Sequence, residues 1–262
     1  LSYLRNLEEK KEQVLGSINE QGKLTEELKA AISAAETMVV VDDLYRPYRP
    51  KRRTRATIAK EKGLEPFAEM IWQQEAKAPL LEAAKEYVDA EKGVESENDA
   101  LLGAMDILAE RVSDTAEYRM EIRRLTAEAG SITAQAKDDT VQTVYEMYYH
   151  FEENITKIAG HRVLALNRGE AEKVLTVKIS APEERIITYL ENKLIKKGNP
   201  FTQETMKSVI RDSYDRLIAP AIEREIRNDL TEKAEDGAIH VFGQNLGQLL
   251  LQPPIAGQVV LG

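Results

Sequence analysis

Apolar positions at the start of the chain recur at helical intervals. Leu1, Leu4, Leu7, Val14, Leu15 and Ile18 fall among Glu and Lys, which places one apolar stripe on a 3.6-residue period. Gly22 and then Thr25-Glu26-Glu27 supply a stop and a capped restart, so two helices open the chain. The run Met38-Val39-Val40-Val41 leads through Asp42-Asp43-Leu44-Tyr45 to Pro47 and Pro50, which prohibit regular helix, and predicts an extended, ordered connection. Thr54 is placed to cap a short helix through Lys62, Gly63 to end it, and Pro66 to sit in the first turn of a next helix carrying Phe67, Met70, Ile71 and Trp72. These two read as a tight helix-turn-helix arrangement.

From Leu80 to about Ala129 the period stays helical, broken at Gly93, Ser113 and Gly130. Residues 131–141 are short and weakly apolar and read as a loop or edge segment, while Val144 to Ile158 reads as an aromatic-rich helix. In it Tyr145, Tyr148 and Tyr149 share one face as the wall of a core. Val174 to Ile179 alternates as a half-buried strand that pairs with another short one. Pro182 starts a further helix and Thr202 caps the next. Ile210, Tyr214, Leu217, Ile218, Ile222, Ile226 and Leu230 then mark a long amphipathic helix. Pro220 should bend or divide that helix, at a local cost of about 3 kcal/mol in an otherwise ideal one. Leu246, Leu249, Leu250 and Leu251 predict one more apolar helix before Pro253-Pro254.

The expected fold is therefore mainly α: a multi-helix array with a helix-turn-helix-like N-terminal subdomain, a long amphipathic helix and one or two short strands. The expected divisions are residues 1–130, residues 131–252, and residues 253–262 as a linker into a following domain. The missing initiator Met, the mid-helix character of the opening, and Val259-Val260-Leu261, which reads as a severed strand, make the chain a fragment by this reading.

Composition narrows the class. With 42% hydrophobic, 31% charged and 6% aromatic residues, the chain has the make-up of a folded globular protein. It lacks the roughly 18 consecutive apolar residues of a membrane span and any basic-then-apolar leader, so no membrane partner and a cytoplasmic setting are expected. Zero cysteines fits a reducing compartment and excludes disulfides, thiolate metal sites and a cysteine nucleophile. A net charge of −9 argues against a protein that coats nucleic acid with its whole surface.

Residues 46–60 run against that acidity, with seven basic side chains and no acidic one. Arg46, Arg49, Lys51, Arg52, Arg53 and Arg55 are the candidate phosphate contacts, because a guanidinium can donate two hydrogen bonds at once. Tyr48, interleaved among them, could stack on an unpaired base. The alternative reading is that these cations pair with neighbouring carboxylates and hold a Pro-rich strap in place. Exposed, unpaired arginines would favour the first reading; arginines within about 4 Å of carboxylates such as Asp42 and Asp43 would favour the second.

Catalytic sets are weak. His150, His161 and His240 show no ligand spacing, no phosphate-cradle glycine pattern occurs, and Asp42-Asp43, adjacent on an extended chain, would point apart and pair with Arg46 and Arg49. No catalysis, cofactor, metal or small-molecule substrate is expected.

The run from Asp42 through Asp43-Leu44-Tyr45-Arg46-Pro47-Tyr48-Arg49-Pro50-Lys51-Arg52-Arg53-Thr54-Arg55 to Ala59, with Glu61-Lys62-Gly63-Leu64-Glu65-Pro66 after it, strongly resembles the signature of the Tex transcription accessory proteins. Supporting matches are the opening LEEKKEQVLGSINEQGKLTEELKAAI, His161 to Ala165 with Arg168-Gly169, Asp215 to Pro220 with Glu223-Arg224-Glu225, and the closing LLLQPPIAGQVVLG. The resemblance spans the whole chain. It implies a helical scaffold that leads into an RNase-H-like domain, then helix-hairpin-helix motifs and an OB-fold RNA-binding domain. It also implies a role in transcription, with nucleic acid bound through the full-length protein and the transcription machinery as a further partner. The alternative is a purely protein-interaction scaffold.

Overall fold

The structure, a computed structural model, describes residues 2–196 and 198–250. It is mainly α-helical with one small sheet. In chain order the elements are α1 (Ser2–Glu20), α2 (Glu26–Ala34), α3 (Met38–Tyr45), α4 (Arg55–Glu61), α5 (Glu65–Gln73), α6 (Leu80–Ala84), α7 (Glu97–Asp114) and α8 (Ala116–Ala129). They continue with β1 (Ser131–Ala136), β2 (His150–Asn154), α9 (Gly160–Ala171), β3 (Leu175–Ser180), α10 (Glu183–Leu194), α11 (Gln203–Asp212) and α12 (Ala219–Leu250).

By contacts the chain divides into two compact units. The first takes the chain up to Thr126 together with Pro182–Ile222; the second takes Ala127–Ala181 and the chain from Glu223 onward.

In the first unit α7 is the helix against which α4, α5, α6 and α11 pack. Its inward positions Ala100, Ala104, Leu108 and Val112 are fully buried and recur at four-residue steps, so the helix can be approached closely along one face. Leu64, Phe67 and Ile71 fill that approach, and Phe67 stacks on Tyr87 with ring centroids 4.9 Å apart. Each such large side chain contributes about 1.5–3 kcal/mol through removal from water. Gly103 lets Leu64 sit directly on the helix, because a Cβ built there would overlap the Leu64 Cδ1 methyl. The N-terminal helices form their own cluster from Leu7, Val14, Ile18, Ile32, Ala35 and Val41.

Local signals set the helix ends. Thr25, Thr37, Thr54 and Ser96 accept backbone N–H bonds at the starts of α2, α3, α4 and α7, and Thr54 and Thr57 form a reciprocal capping box. Gly63 follows α4 at φ 78°, a left-handed conformation that glycine adopts without strain.

The second unit holds a three-stranded antiparallel sheet in the order β2-β1-β3. Residues 131–136 are its central strand rather than a loop. The alternating buried positions Ile132 and Ala134 face the core, and the register sets Ile132 opposite Glu153 and Ile179. The outer edge of β3 is closed by α12: Glu223 accepts from Ile179 N–H at 2.9 Å and Arg227 donates to Val177 O at 3.2 Å.

Several stretches fold differently from what their local pattern implies. Residues 38–45 form helix α3 capped by Thr37, followed by a 3₁₀ turn over Arg46–Tyr48, so the non-helical stretch is confined to residues 49–54. The segment 144–158 is a 3₁₀ turn over Glu146–Tyr148 and then β2. Its tyrosines 145, 148 and 149 are buried as expected, but not on a helical face. Pro220 neither ends nor divides its helix. A π turn over Ser213–Ile218 precedes it, in which Ala219 N–H reaches back to Tyr214 O, so the widened ladder accommodates the missing proline N–H. Leu246, Leu249 and Leu250 belong to the continuous α12; Leu251 and residues 253–262 lie outside the described residues.

Candidate nucleic-acid interface

The strap begins where α3 tightens into the 3₁₀ turn and ends at the cap of α4, so both of its anchors are helix termini. Its aromatic residues are structural anchors. Tyr45 shares a 2.9 Å hydrogen bond with Ser17, and Tyr48 is half-buried against the N-terminal cluster, its carbonyl accepting from Gln21 Nε2 at 2.8 Å.

Its cations fall into two sets. Arg49 donates to Asp42 at 3.0 Å and lies over the Tyr45 ring at 5.5 Å, while Lys10 adds a second, 3.4 Å contact to Asp42. Lys51 reaches Glu110 at 3.3 Å and also bonds Asp114, both on α7. Arg53 pairs with Glu61 at 3.2 Å, with both partners well exposed, where such a pair adds little stability. Arg46, Arg52 and Arg55 have no carboxylate within 4.0 Å among the described residues. Arg52 and Arg55 are exposed and Arg46 is half-buried.

Asp42 and Asp43 lie next to each other on α3 and face different partners. Asp42 takes Arg49 and Lys10, whereas Asp43 is buried and receives both terminal nitrogens of Arg123, at 2.9 and 3.1 Å. Arg46, expected to pair with them, has no carboxylate within 4.0 Å among the described residues, and its charge acts on Asp114. The carboxylates of α7 were not legible as part of this site. Asp106, Glu110 and Asp114 are spaced by four residues in the sequence, but nothing local places that row opposite the strap. Burial pushes the Asp114 carboxyl above its ordinary value, against the hydrogen bond and charge of Lys51. Burial likewise raises Asp106, opposed by Arg216 and Arg55.

The histidines lie on separate elements: His150 on β2, His161 on α9 and His240 on α12. Among the described residues no three His, Asp or Glu side chains come together as a metal-ligand set, and no helix is long and apolar enough to cross a membrane.

The family model described as Tex central region-like matches residues 75–242. The chain belongs to the Tex family. It is 47% identical to the Bacillus subtilis protein YdcI over 99% of its own length and 37% of that protein's. It is 36% identical to the Bordetella pertussis protein tex over its full length and 35% of that protein's. The human S1 RNA-binding domain-containing protein 1 shares 29% identity across the whole chain, which covers 28% of that protein. The chain thus spans about a third of the length of the bacterial relatives it matches.

Proposed function

We infer that this chain is a non-catalytic, nucleic-acid-binding scaffold of a bacterial transcription accessory protein, working in the cytoplasm. The observation that carries the reading is the exposed pair Arg52 and Arg55, without carboxylate partners among the described residues, on a strap fixed at both ends. Cations held on an ordered backbone meet phosphate with little ordering cost, and arginine is the side chain best shaped for it. Two relatives' names support the setting: a Neisseria gonorrhoeae relative is called transcriptional accessory protein Tex, and the human relative is named for an S1 RNA-binding domain. In this reading α4 and α5 are a helix-turn-helix-like support that presents the strap, rather than a groove reader.

The test is fluorescence anisotropy of labelled RNA and DNA with the unaltered chain and the Arg52→Glu/Arg55→Glu variant. Charge reversal at both positions should reduce affinity at least tenfold while the circular dichroism spectrum stays unchanged. Equal affinity in both chains would overturn the assignment.

A second reading is favoured by the pairs Arg49–Asp42, Lys51–Glu110 and Arg53–Glu61. The strap would then be an internal tie, and the acidic helical surfaces would contact the transcription machinery. Absence of binding by either chain would select it.

A further inference from the structure

The strap faces a regular row of anions. Asp106, Glu110 and Asp114 follow one another at four-residue spacing on α7, which stacks their side chains about 6 Å apart along one face of the helix. Lys51 Nζ bridges the last two, 3.3 Å from Glu110 and in closer contact with Asp114. Arg46 acts on Asp114 and Arg55 on Asp106 from a greater distance. The bridging side chains are partly shielded from water, with exposures of 24% for Lys51, 17% for Glu110 and 15% for Asp114. Lys51 thus differs from its neighbours Arg52 and Arg55: its ammonium is already committed to two carboxylates. A rigid helix bearing evenly spaced anions offers the strap what a nucleic-acid backbone would offer, so the two compete for the same cation.

We propose that Glu110 and Asp114 withhold Lys51 from nucleic acid, so that the strap meets phosphate first through Arg52 and Arg55 and gains Lys51 as a further contact only when α7 releases it. The inference rests on the nucleic-acid reading given above. Two observations make the clamp releasable. A cleft of about 470 Å³ lies beside it, lined in part by Pro47, Tyr48, Lys60, Glu110 and Asp114, which leaves the carboxylates room to turn. Burial also disfavours the ionised form of Asp114 in the clamp, so release into water relieves that penalty.

The test compares binding of a short labelled single-stranded RNA across a salt series by four chains: unaltered, Lys51→Ala, Glu110→Gln/Asp114→Asn, and the triple variant. Lys51→Ala alone should leave both affinity and salt slope unchanged, because the lysine is withheld. Glu110→Gln/Asp114→Asn should bind severalfold more tightly, with a log–log salt slope steeper by about 0.7, the increment for one more phosphate contact on a single strand. Adding Lys51→Ala should cancel both gains. The clamp is overturned if Lys51→Ala alone flattens the slope by about 0.7, or if the tighter binding survives Lys51→Ala and so reflects only the general loss of negative charge. It is also overturned if binding depends on Arg52 and Arg55 but is indifferent to Glu110 and Asp114. If none of the chains binds, the nucleic-acid reading itself fails and the clamp with it. Lys51→Ala strips Glu110 and Asp114 of their shared cation, so each variant's circular dichroism spectrum is compared with that of the unaltered chain, and Lys51→Met, which keeps the aliphatic stem, takes its place if that spectrum changes.

Discussion

Arg123 donates both terminal nitrogens to Asp43, a carboxylate only 2% exposed that lies eighty positions earlier in the chain. Removing one partner of a buried pair leaves the other charge uncompensated, so Arg123→Ala should lower unfolding stability by about 3 kcal/mol in urea titration. A change under about 0.5 kcal/mol, the ordinary range for a surface site, would show that Asp43 is held by something else. Gly103→Ala should also destabilise, by about 1–3 kcal/mol, although alanine favours helix, because the added methyl meets the buried Leu64 side chain. Asp114 gives a pH signature with a definite sign. Its folded-state pKa lies above the ordinary value of 3.8 because it is buried, so the folded chain binds that proton more tightly than the unfolded one. Its contribution is then most favourable in acid and declines as pH rises from 3.8 through the raised value. Urea midpoints across that window should show the unaltered chain losing ground to Asp114→Asn as pH increases; gaining ground would contradict the assignment.

At the scale of elements, what the sequence made legible was local. Thr25, Thr54, Gly63 and Pro66 act within a turn of where they stand, and each does in the structure what its chemistry predicts. Thr54→Ala should therefore cost about 1 kcal/mol of stability through the loss of the α4 cap, read as a shifted urea midpoint. The misreadings came from tertiary partners. Pro47 and Pro50 suggested an extended chain back to Met38, yet a proline constrains mainly its own turn and the residue before it, and Thr37 caps a helix that ends just ahead of them. β1 was obscured because SITAQA is small and half polar, and its two partners come about twenty and forty residues later. Tyr145, Tyr148 and Tyr149 mimic helical spacing because a 3₁₀ turn has nearly the same short period. Pro220 was legible as a disturbance, but the π turn that absorbs it was not. Because that turn already accommodates the proline, Pro220→Ala should change stability by less than about 1 kcal/mol, against about 3 kcal/mol for a proline set in a straight α ladder.

For the whole molecule, a net charge of −9 and a strap with seven cations in fifteen residues are consistent once charge is resolved by place. The basic run was visible in the sequence; which of its cations are committed was not, because Glu61, Glu110 and Asp114 reach them only through the fold. Incubation of the chain with labelled RNA or DNA and Mg²⁺ should yield no cleavage products, since no cluster of carboxylates among the described residues could hold the metal; cleavage that survives repurification would contradict a binding-only role. Nucleic acid is proposed to meet this Tex-family chain at the exposed arginines of the strap. The most direct test is the salt dependence of single-stranded RNA binding by the unaltered chain and by Arg52→Gln/Arg55→Gln. Log affinity should fall linearly with log salt, with a slope flattened by about 1.4 in the variant, the increment for two lost phosphate contacts. The same slope in both chains, or no binding in either, would contradict it.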